Sequence, residues 1–513
     1  MADAKKNPVK QARPEVDKVL QRCEVINDLL AGTVGMRDAG ERYIPKRSGE
    51  SDKKWRSRVD DAVLHNAYAR TVGYLTGQVF SKDVVLDAAG ETLPEPYAAM
   101  FEDVDLQGNS LSVWAARFFA DAVNSKANLV LVEFPQVETR TNEAGRLEYL
   151  DAATGEYVPK TAEADAQNGW RPYFVSIPTA CVLGWRIETI NGRQTITQFR
   201  FKERVIEEQG QFDVEDEYCE QVRVLYRGRY EIWRKVETGT TNGEETWAVW
   251  KEGTVSMPEI PLATFFPSGN EMGLVTLPAL EDLAHLNRRH WQATAEHNEL
   301  MRFVRAPGLF LAGGTVDANG ASTMPWGPGI LSVDTNPEAK ISPIGVDAAS
   351  VTASRQELKD IEEAMALYGL QLLMPKTGDV TATEKALGAS ESDSTLKRWA
   401  LGLKDCLEQA FTFAGQWVGA EELAPSVSVN TEYHMLTGVD PATIIAATEK
   451  GIIPKEMAFN EFKRRGLLPD DADWQDAEAM FEAQNRQGAA VTPARQIASS
   501  ILAPGAGNGL TGA

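Results

Sequence analysis

Apolar positions in the second half of the chain fall at alternating spacings of three and four. Leu358, Ile361, Met365, Tyr368 and Leu372 make one such series. Leu396, Trp399, Leu403, Cys406, Ala410, Phe413 and Trp417 make the next. That spacing lays one apolar stripe along a helix, so each series predicts a helix that buries a single stripe against a partner, the first beginning at Ser354. Between the two, after Pro375, the chain turns polar through Lys376, Thr377, Gly378 and Asp379 before helical character resumes. Ahead of both, "LVTLPALEDLAHLNRRHWQATAEHNELMRFVRAPG" predicts a weakly amphipathic helix of about 27 residues, roughly 40 Å at 1.5 Å per residue. Residues 307–343 are rich in Gly, Pro and Asn and hold two short strand-like pieces, which predicts a small β-containing module inserted between helices.

Other periods govern the first half. Residues 14–80 carry helical periodicity with polar gaps, and "LSVWAARFFADAV" predicts a helix leading into the strand "ANLVLVEFP". The pattern then alternates and becomes β-branched in "TITQFRFKERV", "CEQVRVLYRGRYEIWRKVE" and "TWAVWKEG". Asn191-Gly192, Arg227-Gly228 and Asn242-Gly243 supply hairpin chemistry, so a β-meander is expected. Beyond the last heptad helix, "ELAPSVSVNTEYHM" predicts a strand, and residues 440–484 predict short helices punctuated by Gly451, Pro454, Gly466 and Pro469. The small, polar, Gly-rich end from about residue 486 predicts disorder. The fold class is α+β.

Composition narrows the function. With 43% hydrophobic and 25% charged residues, a chain of 513 residues has ample material for a globular core. A net charge of −22 argues against a protein that coats nucleic acid, because such binding draws on many Lys and Arg contacts to phosphate. One basic island interrupts the acidity: "MRDAGERYIPKRSGESDKKWRSRV" holds Arg37, Arg42, Lys46, Arg47, Lys53, Lys54, Arg56 and Arg58. It reads either as a solvated face balanced by neighbouring acids or as an intersubunit or anion-binding patch. Cys23, Cys181, Cys219 and Cys406 form no CxxC and no even framework, and are expected to be buried thiols of a reduced compartment. The start lacks an apolar leader, and no run approaches the length of a membrane span.

No catalytic constellation emerges. His285 and His290 lie about 140° apart around a helix; His290 and His297 share a face but are two turns, roughly 10 Å, apart, too far for one metal. "GASES" lacks the final glycine of a nucleophile elbow, and no HExxH or P-loop occurs. The acidic pairs Glu281-Asp282 and Glu362-Glu363 are adjacent on helices and point apart, as solvated faces do. Hence no catalytic residue, cofactor or metal ligand is expected, and the chain is read as a non-enzyme.

The order of parts carries a resemblance. "AGERYIPKRSGESDKKWRSRV" with "NAYARTVGYLTGQVF", then "RPYFVSIPTACVLGWR", then "GPGILSVDTNPEAKISPIGVDAAS" followed by "RQELKDIEEAMALYGLQLLMP" resemble the portal proteins of tailed bacteriophages, over roughly residues 20–485. The resemblance implies a mixed α/β wing, a two-helix stem, a small β-containing clip, a long wing helix and a helical crown. On this chain they fall as follows: residues 1–277 for the N-terminal region and wing with its β-meander, 278–306 for the first stem helix and 307–343 for the clip. Residues 344–374 then correspond to the second stem helix, 375–386 to a channel loop, 387–430 to the wing helix and strand, 431–485 to the crown, and 486–513 to a disordered tail.

It also implies a dodecameric homo-oligomer at one capsid vertex, made in the host cytoplasm and retained in the virion, through which double-stranded DNA is packaged and ejected. Its partners would be the terminase large subunit, the major capsid protein or scaffold, and a head–tail adaptor, with no membrane involved. By the same resemblance Lys376, Thr377, Gly378, Asp379, Thr383, Glu384 and Lys385 would face DNA in the channel. The lysines would attract phosphate and the acids would dilute that attraction. Without the resemblance these residues read as an ordinary helix–helix connector. Trp326 in the clip would anchor a partner, or pack within the module or against a neighbouring clip. Two other classes remain open: a virion structural or head-to-tail connector protein without a DNA channel, and an enzyme whose carboxylates come from separate elements.

Overall fold

Pro14 occupies the first turn of α1 (Pro14–Leu30), where its missing N–H costs nothing, and Glu15 and Asp17 complement the positive end of the helix. Val16, Val19, Cys23, Ile26 and Leu29 recur every three or four residues along it and are all buried. The computed structural model describes residues 8–305 with short breaks (89–91, 136–138, positions within 143–167 and 210–215, 237–245, 270–271), then 308–312, 337–371 without 339, 395–431, and stretches of 445–480. Tail residues 486–513 and the turn at Asn242-Gly243 therefore lie outside the described residues. Two compact units divide the chain, residues 1–432 and 433–513.

After α1 come α2 (Gly32–Asp38), α3 (Gly40–Tyr43), α4 (Asp52–Asp60) and α5 (Ala67–Val79). Side chains cap the last two: Ser51 Oγ accepts from Lys54 N at 3.4 Å, and Asn66 Oδ1 accepts from Ala69 N at 3.0 Å. Then follow β1 (Val85–Asp87), α6 (Glu95–Glu102), α7 (Leu111–Val123) and β2 (Ala127–Glu133). β2 is buried on both faces because it is the middle strand of an antiparallel sheet ordered β12–β2–β6, with β6 (Tyr173–Pro178) and β12 (Leu262–Thr264) at its sides. The short strands β3 (Thr139–Thr141), β4 (Leu147–Leu150) and β5 (Tyr157–Pro159) make a separate sheet.

The meander is present: β7 (Val182–Ile190), β8 (Arg193–Glu208), β9 (Glu217–Tyr226), β10 (Arg229–Val236) and β11 (Thr246–Thr254) pair in sequence order, all antiparallel. Asn191 and Gly192 both have positive φ (52° and 79°), the backbone that a two-residue hairpin turn needs to match the strand twist.

Three further helices complete the first unit. α8 (Glu281–Arg305) occupies the predicted long helix. α9 (Ala348–Gln371) starts six residues before the expected Ser354, because the stretch Ala348 to Ala353 is helix-compatible although it lacks the apolar stripe used to place the start. Between them β13 (Gly308–Ala312) and β14 (Lys340–Ile344) pair antiparallel, so the two ends of the inserted module lie side by side. α10 (Thr395–Val418) buries eleven residues, among them Leu396, Trp399, Leu403, Cys406, Ala410 and Phe413 of the predicted stripe. Phe411 packs edge-on against Tyr97 and Phe174, and Trp399 lies against Phe119, which itself stacks on Phe265. Each such ring removed from water contributes about 1.5–3 kcal/mol.

The strand expected after α10 is only three residues long, β15 (Ser426–Ser428), and it pairs with β1. In the second unit α11 (Lys455–Arg464) places Phe459 edge-on to Trp474 at 5.5 Å. The molecule is thus a mixed α and β fold. One expectation fails: Cys23 and Cys406 are buried, but Cys181 and Cys219 are partly exposed, because Cys181 lies in the short 3-10 turn Thr179–Cys181 ahead of β7 and Cys219 lies near the start of β9, outside the core layers.

Candidate functional site

α8 is seated in the N-terminal helical layer by residues spaced along one side. Asn287 is fully buried; its Nδ2 donates to the carbonyl of His65 (2.8 Å) and its Oδ1 accepts from Tyr68 N (2.9 Å). Trp291 is also fully buried and meets Tyr43 edge-on at 6.4 Å, while Gln292 Nε2 donates to the Tyr43 carbonyl at 2.6 Å. Further along, Asn298 Nδ2 donates to Asp61 O, Glu299 pairs with Arg47 at 2.6 Å, and Arg302 pairs with Asp61 and donates to Ser57 Oγ.

These contacts account for much of the basic island. Arg47 serves Glu299, Arg42 pairs with Asp28 at 2.7 Å, Lys46 pairs with Asp52, and Arg37 donates to the Ala62 carbonyl. Arg58 and Glu50 form an ion pair at 2.7 Å with both side chains under 10% exposed. The guanidinium beside it and the Arg47 backbone N–H hold the Glu50 carboxyl down to about 2. Of the two readings of the island, balance by neighbouring acids describes Arg42, Lys46, Arg47 and Arg58, while Arg37 is held by a backbone carbonyl.

α9 lies along the other side of α8. His290 Nε2 is 3.1 Å from Glu362 Oε1, His297 Nδ1 is 3.0 Å from Ser354 Oγ, and Arg289 bridges to Glu357 at 3.1 Å. His290 and His297 share a face, as their spacing of seven predicts, and that face meets α9. Of the described α9 side chains only Ile361 and Met365 are buried, both members of the predicted stripe, while Leu367 is 55% exposed. An open groove follows the seam, with Leu286, Ile361 and Ala364 along it and Arg289, Gln356 and Asp360 among its polar lining.

The pairing His290–Glu362 was not visible in the sequence. Its partners are 72 residues apart, and Glu362 in isolation reads as one more solvated acid. The imidazole of His65 also packs on that of His290, with ring centres 5.4 Å apart. Burial pulls His290 below the usual imidazole range, against the opposing pull of Glu362, and His65 lowers it further.

Elsewhere, a cavity of about 50 Å³ lies among β2, β9, β10 and α10, beside the Arg223 guanidinium that pairs with Glu133 and Glu203. Tyr173 OH donates to Glu133 and Gln221 Nε2 donates to Glu203, so its polar groups are engaged with one another. Among the described residues no group of three His, Cys, Asp or Glu side chains could hold a metal ion, and no helix is long and apolar enough to cross a membrane.

The residues singled out in the sequence fall elsewhere. Lys376, Thr377, Gly378, Asp379, Thr383, Glu384, Lys385 and Trp326 all lie outside the described residues. What the structure gives is their flanks. The first seven fall between Gln371, the end of α9, and Thr395, the start of α10; Trp326 falls between β13 and β14.

Residues 279–418 match a family described as a domain of unknown function (DUF4055). The match begins just before α8 and ends at Val418, the last residue of α10, so it covers the helix, inserted module, helix, connecting segment and helix as one unit. No curated protein matches the chain.

Proposed function

We propose that this chain is the subunit of a portal-type ring at one capsid vertex, the channel for packaging and ejecting double-stranded DNA. In this reading α8 and α9 form the stem, residues 307–343 the clip that docks terminase and adaptor, and residues 375–386 a loop facing the channel; the chain itself catalyses nothing. The observation that carries the reading is the contrast within the matched stretch. α10 is sunk in the core, whereas α9 buries only Ile361 and Met365 among its described side chains and carries an inserted module at its N-terminal side. A helix left so bare within one chain suits an assembly in which neighbouring copies cover what each leaves open, as a closed head-to-tail ring requires. The net charge of −22 also suits a conduit, since few cations hold the sliding polyanion.

Native mass measurement and negative-stain imaging of the full chain test this directly. A ring with a central channel, dodecameric in the particle, is the expected result. A monomer would overturn the reading, and a solid or differently built assembly would favour a connector without a DNA channel.

A further inference from the structure

His290 is buried at the point where three segments meet: α8 that bears it, α9, and the stretch leading into α5. Its surroundings define what its protons can do. Nε2 lies 3.1 Å from Glu362 Oε1, so a neutral ring keeps its proton there and donates it to the carboxylate. Nδ1 is buried and has no partner among the described residues. A bare ring nitrogen tolerates that position; an N–H there would lack an acceptor.

The groups facing the ring are Glu362 from α9, whose side chain is 46% exposed, and the imidazole of His65 at 5.4 Å. From its own helix come Asn287, which is uncharged and holds the His65 carbonyl, and Thr294, whose hydroxyl donates to the His290 carbonyl at 2.9 Å. Arg289 and Glu357 bridge the same seam.

We propose that His65, His290 and Glu362 form an acid-sensitive latch, which holds α9 against α8 and the N-terminal layer at neutral pH and loosens it as the pH falls. Protonation would add a charge and an unmatched N–H at a buried position, and would set it against a second imidazole. Glu362 attracts that charge, but its exposed side chain makes this a weak compensation.

The linkage has a definite sign. A base held below its ordinary range in the folded state binds fewer protons than in the opened state. Stability is therefore complete above the ordinary imidazole range, about 6.5, and declines as the pH falls below it. The inference does not depend on the portal reading, since it concerns contacts within one chain.

Amide hydrogen exchange of the full chain, at pH 7.5 and 5.0 and corrected for the intrinsic exchange rate, reads local opening. Peptides over residues 358–368 should lose protection selectively at pH 5.0, relative to peptides over α7 and β2. His290→Gln keeps an N–H donor for Glu362 but cannot titrate, so the pH-dependent loss should vanish. His65→Phe removes the facing imidazole and its repulsion of the charged ring, so the pH-dependent loss should shrink. Absence of a selective loss in the parent chain, or the same loss in His290→Gln, overturns the proposal. Should His290→Gln not fold, His65→Phe decides: an undiminished pH-dependent loss in that variant also overturns it.

Discussion

The indole Nε1 of Trp417 donates to the carbonyl of Val132 at 3.0 Å, across 285 residues of sequence. This bond fixes the last turn of α10 to the buried strand β2, and so sets where the matched stretch ends against the body. Trp417→Phe removes this donor to the strand carbonyl together with part of the indole ring. We expect a loss of about 1 kcal/mol, seen as an earlier denaturant midpoint of the first unit, with no change in secondary structure by circular dichroism.

Gly415 tests the same junction by volume. A Cβ there would collide with the Tyr97 hydroxyl, which is bonded to Ala420 O, and would sit 2.7 Å from Glu421 Cα. Gly415→Ala should destabilise by about 1–3 kcal/mol in thermal unfolding, and Tyr97→Phe should relieve little because the backbone clash remains.

Arg58 and Glu50 supply a prediction with a pH signature. Because Glu50 is held down to about 2, its contribution is complete above its ordinary 4.5 and is lost as the pH falls from there toward 2. Arg58→Met strands a buried carboxylate and should cost about 3–5 kcal/mol at neutral pH. Arg58→Met with Glu50→Leu should recover most of that loss, and the acid-side slope should flatten in the double variant.

Within the portal reading, Lys376→Glu with Lys385→Glu reverses two charges in every subunit where the channel is expected to be narrow. Ring formation should be unchanged, since the described anchors of α9 and α10 lie elsewhere: Ile361, Met365 and the eleven buried residues of α10. Packaging should slow, or packaged DNA should leak, in a terminase-driven assay. Full-length DNA packaged and retained at the parent level would make the loop a plain connector.

Within the same reading, Trp326→Ala tests the clip separately. Weaker terminase docking or incomplete ring closure is expected, measured by co-sedimentation and imaging; normal rings with normal packaging would remove both roles from this side chain.

The sequence reveals those elements whose partners are periodic or near. The predicted stripe finds six buried residues of α10, from Leu396 to Phe413, though its last member, Trp417, is only half-buried; Asn191-Gly192 predicts a turn whose backbone is positive at both positions. Long-range pairing leaves no such mark. β1 and β15 are three residues each and find one another across the whole first unit, so neither is long enough to show alternation. Arg58 and Glu50 look like members of a solvated charge run because burial depends on which helices close over them. Likewise the sequence sets beside His290 only the other histidines of its own helix, while its partners come from α9 and from ahead of α5.

The ladder between β13 and β14 has an evolutionary consequence. Gly308 pairs with Ile344 and Ala312 with Lys340, so the chain leaves the helix pair and returns to it at adjacent points. Whatever lies between Ala312 and Lys340 can then lengthen, shorten or be replaced wholesale without altering the distance between α8 and α9. Such a cassette can change while the helices are inherited unchanged.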